Sequence, residues 1–285
     1  MKVGIAQIRP FLGRVDQNLD KHAQFIEQAK AEQVDMIVFP ELSLTGYNLL
    51  DLTFDVARVK TDEQIQSLVE MAAGIDIVFG YVEKSSDHLL YNTAVYASDQ
   101  KIVHTHRKTH LPTYGMFDEG RYFGRGQRVR SFPTKWGRMG MLICEEVWHP
   151  ATTYLLAQDG VEIFLFLVNS PVRDIRTEQF ANQREWRLLT QTNATVYGAY
   201  TLFASRVGSE DGATFLGNSH IIAPDGEMAC EADIFEEQLL VTEIDLDQIR
   251  RARFQMPLIR DENLELTIRE LKRIQKRRIE EVDGL

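Results

Sequence analysis

Cysteine is scarce in this chain: 285 residues hold only Cys144 and Cys230, in unlike surroundings. A disulfide framework is therefore not expected, a reducing cytoplasm is, and each thiol needs its own explanation. Positive charge is also in deficit. Lys and Arg number 32 against 42 Asp and Glu, for a net charge of −10, which opposes attachment to nucleic-acid backbones or anionic lipid. Neither nucleic acid nor a membrane is an expected partner. No apolar run approaches the ~20 residues that cross a bilayer, so the chain reads as soluble and unprocessed. There is no Gly-x-Ser-x-Gly elbow, no phosphate-binding Gly-x-x-x-x-Gly-Lys loop and no dinucleotide fingerprint, which removes three common enzyme classes.

What is present is a series of short β-rich apolar runs, at Val3–Ile8, Met36–Phe39, Ile75–Val82, Leu90–Tyr96, Met139–Cys144, Ile163–Val168, Tyr200–Ala204 and Leu239–Ile244. Helical or loop segments separate several of them, a spacing that predicts an α/β fold. Residues 16–33 place Leu19, Ala23, Ile26 and Ala29 at helical intervals, with Asp16 as the expected N-cap. Runs joined by turns, such as Tyr91–Ala97 and Lys101–Arg107, predict antiparallel ladders and hence a mixed sheet. No Pro/Gly/Ser-rich linker or fixed repeat divides the chain, so one domain over residues 1–260 is expected, followed by a helical tail at 261–285. In that tail Leu264, Ile268, Leu271 and Ile274 recur at helical spacing among Arg and Lys residues. It is either a solvated surface helix or a docking helix for another subunit or an acidic partner.

Three apolar runs end on a single polar residue: Glu41, Cys144 and Asn169. Reactive groups of α/β sheets gather outside strand carboxyl ends, where rigid backbone meets a crevice. Cys144 is followed by Glu145 and Glu146. A cysteine ending a buried run is commonly a small core hydrophobe, but a core thiol has no need of two neighbouring carboxylates. Glu41 is open to a capping or solvated role as well as to that of a proton acceptor. Lys108 precedes a loop rich in aromatic, Gly and Pro residues that runs to Glu119, and long loops in compact domains are often functional. His104, His106 and His110 form a His-x-His-x-x-x-His pattern, but nothing completes a metal site, and His104 and His106 are expected as ordinary polar residues on one strand face. Cys230 is read as incidental.

Taken together, Phe39-Pro40-Glu41-Leu42-Ser43-Leu44-Thr45-Gly46-Tyr47, Arg107-Lys108-Thr109-His110-Leu111-Pro112-Thr113-Tyr114-Gly115-Met116-Phe117-Asp118-Glu119 and Leu142-Ile143-Cys144-Glu145-Glu146-Val147-Trp148-His149-Pro150 resemble, in order, the glutamate, lysine and cysteine motifs of the nitrilase superfamily of carbon-nitrogen hydrolases. The resemblance extends from about residue 2 to about residue 260. It implies a four-layer α-β-β-α sandwich, frequent pairing of subunits into a homodimer or higher homo-oligomer, Cys144 as nucleophile, Glu41 as general base, Lys108 as oxyanion stabiliser and Glu119 as a second carboxylate near the leaving group. Glu145, Tyr47 and Tyr114 fall within the same motifs and are expected at substrate-binding or oxyanion positions, Glu145 through its backbone N–H.

The implied chemistry is hydrolysis of a small linear amide, carbamoyl compound or glutamine through a thioester, with the Lys108 ammonium favouring the thiolate. No metal or organic cofactor enters it. Nitrile-hydrolysing members usually carry Trp after the cysteine, where this chain has Glu145, so amides are favoured. The segments around Cys144 and Tyr114 are similar to the glutaminase domain of glutamine-dependent NAD synthetases, although no ATP-using domain is expected in the 285 residues. A glutaminase subunit serving a separate synthetase, a nitrilase and a non-catalytic interaction module of the same fold stay open as alternatives. Asn193-Ala194-Thr195-Val196-Tyr197 and His149 depart from the family pattern, which bears on pocket shape and assembly but not on the triad.

Overall fold

A computed structural model of the chain describes residues 1–172 and 180–283. In chain order the elements are β1 (Lys2–Gln7), α1 (Val15–Ala31), β2 (Met36–Val38), α2 (Thr53–Val56), α3 (Glu63–Met71), β3 (Asp76–Lys84), β4 (Leu90–Ser98), β5 (Lys101–Arg107) and α4 (Glu119–Tyr122). There follow β6 (Phe132–Thr134), β7 (Gly137–Ile143), α5 (Pro150–Gln158), β8 (Ile163–Val168), α6 (Ala181–Tyr197) and β9 (Tyr200–Ser205). The last are β10 (Val207–Glu210), β11 (Ala213–Leu216), β12 (His220–Ile222), β13 (Met228–Glu231), β14 (Gln238–Glu243), α7 (Asp247–Gln255), α8 (Leu258–Asp261) and α9 (Leu264–Asp283).

The strands form two six-stranded sheets, ordered β14-β1-β2-β3-β4-β5 and β13-β12-β9-β8-β7-β6, with β10 and β11 as a separate hairpin. Each sheet is mixed, as expected. β1, β2 and β3 run parallel, as do β7, β8 and β9, while the outer strands pair antiparallel.

Alternation along the strands explains why the two sheets stack. Met36 and Val38 of β2 join Val3, Ile5, Met141 and Leu165 in a core between the sheets, whereas Ile37 and Phe39 face the layer holding Phe25, Ile26 and Leu68 of α1 and α3. In β8, Ile163, Leu165 and Leu167 face the other sheet, while Phe164, Phe166 and Val168 pack with Leu156 of α5 and Trp186 of α6. A strand buried on both faces has no polar alternation, which is why these runs are continuously apolar. The result is a four-layer α-β-β-α sandwich.

Two local expectations are corrected. The first helix begins at Val15 with Arg14 at the N-cap, and Asp16 lies inside the first turn, where its carboxylate accepts from the Gln64 amide at 2.6 Å instead of capping its own helix. His106 is not an ordinary polar strand residue. It is 3% exposed and its imidazole meets Glu146, while His104 stacks on Phe132 and His110 on His149. In the departing segment of α6, the Asn193 amide donates to the Leu189 carbonyl of its own helix at 2.8 Å. The basic tail forms a helix from Leu264 with Leu264, Leu266, Ile268, Leu271 and Ile279 all exposed.

Candidate active site

Parallel strands of both sheets deliver the site. Glu41 follows β2 in one sheet, and Cys144 and Asn169 follow β7 and β8 in the other. Lys108 comes directly after the edge strand β5. After β2 and after β7 the chain changes direction sharply. Cys144 sits in the left-handed region at φ 46° and opens a 3₁₀ turn to Trp148, and Leu42, just after Glu41, has φ 46°. A non-glycine side chain rarely holds that conformation, and such positions cluster at functional sites. Two glycines make room. A Cβ on Gly80 would lie 2.4 Å from the Leu42 nitrogen, and one on Gly126 would lie 2.0 Å from the Arg107 carbonyl oxygen, next to Lys108.

At the centre, the Lys108 ammonium donates to Glu41 Oε1 at 2.8 Å and to Glu119 Oε1 at 2.7 Å, with all three side chains buried. Glu41 is held from every side. Asn92 Nδ2 donates to its Oε1 at 2.7 Å, the Asn169 backbone N–H to its Oε2 at 2.9 Å, and Asn169 Nδ2 to its carbonyl at 2.9 Å. The Tyr47 hydroxyl donates to Glu119 Oε1 at 2.6 Å, while Glu119 Oε2 is buried without a partner. The thiol of Cys144 lies 3.8 Å from the Asn169 carbonyl oxygen. Asn169 thus touches both Glu41 and Cys144.

Burial alone would strip the proton from Lys108, but Glu119 and Glu41 outweigh it and raise the ammonium's pKa. Burial and the charge of Glu41 together push Glu119 up to about 7, against the opposing pull of Lys108. Lys108 favours the thiolate of Cys144, in the expected direction, but other effects oppose it. Burial, then the Glu41 carboxylate, raise the thiol's pKa well above its usual range, and Lys108 offsets only part of this. A thiol whose pKa is raised in this way needs a proton acceptor before its sulfur can act as a nucleophile.

The two acids after Cys144 separate completely. Glu146 points inward and accepts from His106, from the Thr109 N–H and hydroxyl, and from the Ile143 N–H, all between 2.6 and 2.8 Å. Glu145 instead lines a pocket with Tyr47, Phe117, Cys144, Trp148 and Asn169, and its carboxylate accepts from the half-exposed Tyr114 hydroxyl at 2.8 Å. Tyr47 lines the same pocket, with its hydroxyl committed to Glu119.

Sequence reasoning missed Asn92 and the inward role of Glu146. Asn169 carried a signal as a polar strand end. Asn92 carried none, since it lies inside β4 and reaches Glu41 only through strand register. Further out, the buried Arg206–Glu210 pair, 2.6 Å apart, supports the loop of Tyr47, because Glu210 also accepts from the Tyr47 and Asn48 N–H groups at 3.0 and 2.6 Å.

Comparison with known proteins agrees with this architecture. A glutamine-dependent NAD(+) synthetase of Acinetobacter baylyi is 32% identical over 87% of this chain, which spans 45% of that protein's length. A nitrilase of Pyrococcus abyssi is 29% identical over 90% of this chain and 93% of its own. The crystal structure of a carbon-nitrogen hydrolase from Helicobacter pylori G27 superposes with a TM-score of 0.85 at 25% identity, covering 96% of this chain and 99% of that one. The chain spans about half the length of the synthetases it matches. The sequence model of the carbon-nitrogen hydrolase family matches residues 2–254, and the chain belongs to that family, within the nitrilase superfamily.

Proposed function

We propose that this protein is a cysteine-dependent hydrolase of small linear amides, with Cys144 as nucleophile, Glu41 as proton carrier and Lys108 as the cation facing the oxyanion. The observation that carries the reading is the contact of Asn169 with both Glu41 and the Cys144 sulfur, at 2.9 and 3.8 Å. Glu41 takes the thiol proton as sulfur attacks the carbonyl carbon. The oxygen becomes an anion held by the Lys108 ammonium and the Glu145 N–H, which as a first-turn donor has no partner within its own turn. The carbon–nitrogen bond breaks as Glu41 returns the proton to the departing nitrogen, leaving a thioester on Cys144. Water, deprotonated by Glu41, then releases the carboxylic acid and restores the thiol. Glu119 keeps the Lys108 ammonium oriented and lies near the leaving group.

The Glu145 carboxylate in the pocket favours a substrate with a cationic or strongly hydrogen-donating end, and glutamine fits that description. This supports a second form of the same reading, a glutaminase that passes ammonia to a synthetase, for which the 32% identity to part of an NAD(+) synthetase is the further support.

The test is ammonia release from glutamine and a series of short amides, with Cys144→Ala as the reference and mass spectrometry of the trapped protein. Release that requires Cys144, with an acyl adduct on that residue, is the expected result. Equal release from both proteins would leave an interaction module of this fold as the better reading. Glutamine turnover that rises when a synthetase chain is added would select the ammonia-supplying form.

A further inference from the structure

We propose that a second concavity, on the outer side of the segment that carries Lys108, binds a small phosphate-bearing polyanion. It shares no lining residue with the Cys144 pocket and encloses about 710 Å³, within the range of about 300–1,000 Å³ usual for small-molecule sites. Five cations line it: Lys60, Lys84, Arg107, Arg125 and Arg128. The one carboxylate in the lining, Glu83, is already engaged. Arg107 grips it with Nε at 2.9 Å and Nη2 at 2.7 Å, and the Thr93 hydroxyl adds a third bond at 2.8 Å. The nearby Asp87 carboxylate accepts from the Ser85 hydroxyl.

The other four cations stand differently. Among the described residues, none of Lys60, Lys84, Arg125 and Arg128 has a carboxylate within ion-pair distance. A chain with a net charge of −10 has acids in excess to pair with, yet four cations without a carboxylate partner surround one hollow, Lys84 resting over the Phe54 ring at 5.4 Å. Clustered like charges repel, and a concave wall concentrates their field, so the arrangement attracts a multiply charged anion. Arginine forks match phosphate oxygens in pairs, and Lys84 and Lys60 add point charges. Gln127, Ser86 and Thr61 contribute polar groups to the same lining.

The wall is also rigid. The Gly126 N–H donates to the Lys108 carbonyl at 2.8 Å, and Gly126 has no space for a side chain against Arg107. Tyr91 is buried beneath the Arg107 guanidinium, 4.0 Å from ring centre to carbon. With that ring covered by Arg107, the described lining presents no free aromatic face, and the cations make the phosphate groups the part recognised.

Calorimetric titration of the full chain with tripolyphosphate, ATP and adenosine, at low and at physiological salt, tests this. Saturable one-to-one binding of tripolyphosphate and ATP is expected, weakening with salt and absent for adenosine. The double variant Lys84→Ala/Arg128→Ala should bind at least about tenfold more weakly, while Cys144→Ala should bind like the parent. Arg125→Gln is a second, independent variant with the same expected direction, and thermal unfolding checks that each variant is folded. Absence of saturable binding at millimolar tripolyphosphate, or equal affinity in the folded variants, overturns the proposal. Binding of ATP and adenosine but not tripolyphosphate would overturn it too. None of these outcomes depends on amide hydrolysis.

Discussion

The imidazole of His106 and the carboxylate of Glu146 meet at 2.7 Å in the interior, both nearly inaccessible to solvent. Through this contact the strand that leads into Lys108 is fastened to the turn that carries Cys144. Burial would raise the pKa of Glu146, yet His106, Thr109 and the Ile143 N–H lower it below the ordinary carboxylate range. Glu146 is therefore an ionised, fully satisfied strut under the site.

Replacing His106 by Ala leaves that buried carboxylate short of its main partner. Breaking one side of a buried pair costs about 3–5 kcal/mol, and denaturant titration should show a loss of that order. Because Lys108 and Cys144 lose their common anchor, kcat should fall more than KM rises, a split that general destabilisation of the folded state would not produce.

Lys108→Met would leave Glu41 and Glu119 facing one another in the interior without their cation. A loss of about 3–5 kcal/mol in unfolding free energy is expected, together with loss of the acyl adduct on Cys144. Adding Glu119→Gln removes one of the stranded charges. Unfolding of the double variant at neutral pH should recover part of the stability and none of the activity.

His22 stacks on Phe39, donates from Nδ1 to the Asn18 carbonyl at 2.7 Å and lies 3.0 Å from the Ser43 hydroxyl. Burial, assisted by the charge of Lys21, lowers its pKa to about 4. The unfolded chain therefore binds a proton at a higher pH than the folded one, and stability drains away as pH falls from about 6.5 through about 4. Glu119, raised to about 7, acts in the opposite sense, with stability falling as pH rises from its unfolded value towards 7. Unfolding free energies measured from pH 4 to pH 8 should show a shallower acid limb in His22→Asn. In Glu119→Gln the decline toward pH 7 should disappear.

Gly126→Ala should be far more damaging than Gly120→Ala. The first Cβ would lie 2.0 Å from the Arg107 carbonyl oxygen, which is backbone, and the second 3.2 Å from a methyl of Thr113, which can move. Melting temperatures of the two variants check this, since each kcal/mol lost lowers the midpoint by roughly 2–4 °C in a chain of this size class. Equal melting temperatures would show that the Lys108 segment is not held against Gly126.

Much of the fold was legible because its central strands are buried on both faces and so appear as uninterrupted apolar runs, as in Ile163–Val168. The strands that went unread, Phe132–Thr134, Val207–Glu210, Ala213–Leu216, His220–Ile222 and Met228–Glu231, are only three or four residues long. Segments so short carry too few alternations to stand out from loop sequence. Their pairing, not their composition, makes them strands.

The sequence by itself determined which residue types stand at the strand ends: a carboxylate after β2, a thiol after β7, an asparagine after β8 and a lysine after β5. It also determined that those strands must be covered on both faces, because apolar faces have to be removed from water; that a second sheet covers one of them was implied by the family resemblance alone. Only the tertiary structure decided that Glu41 and Cys144, from different sheets, face one another across Asn169. It likewise sent Glu145 to the pocket and its neighbour Glu146 to the core. Adjacent residues in a tight turn point in divergent directions, and the choice between solvent and interior depends on what the rest of the chain has packed beneath them.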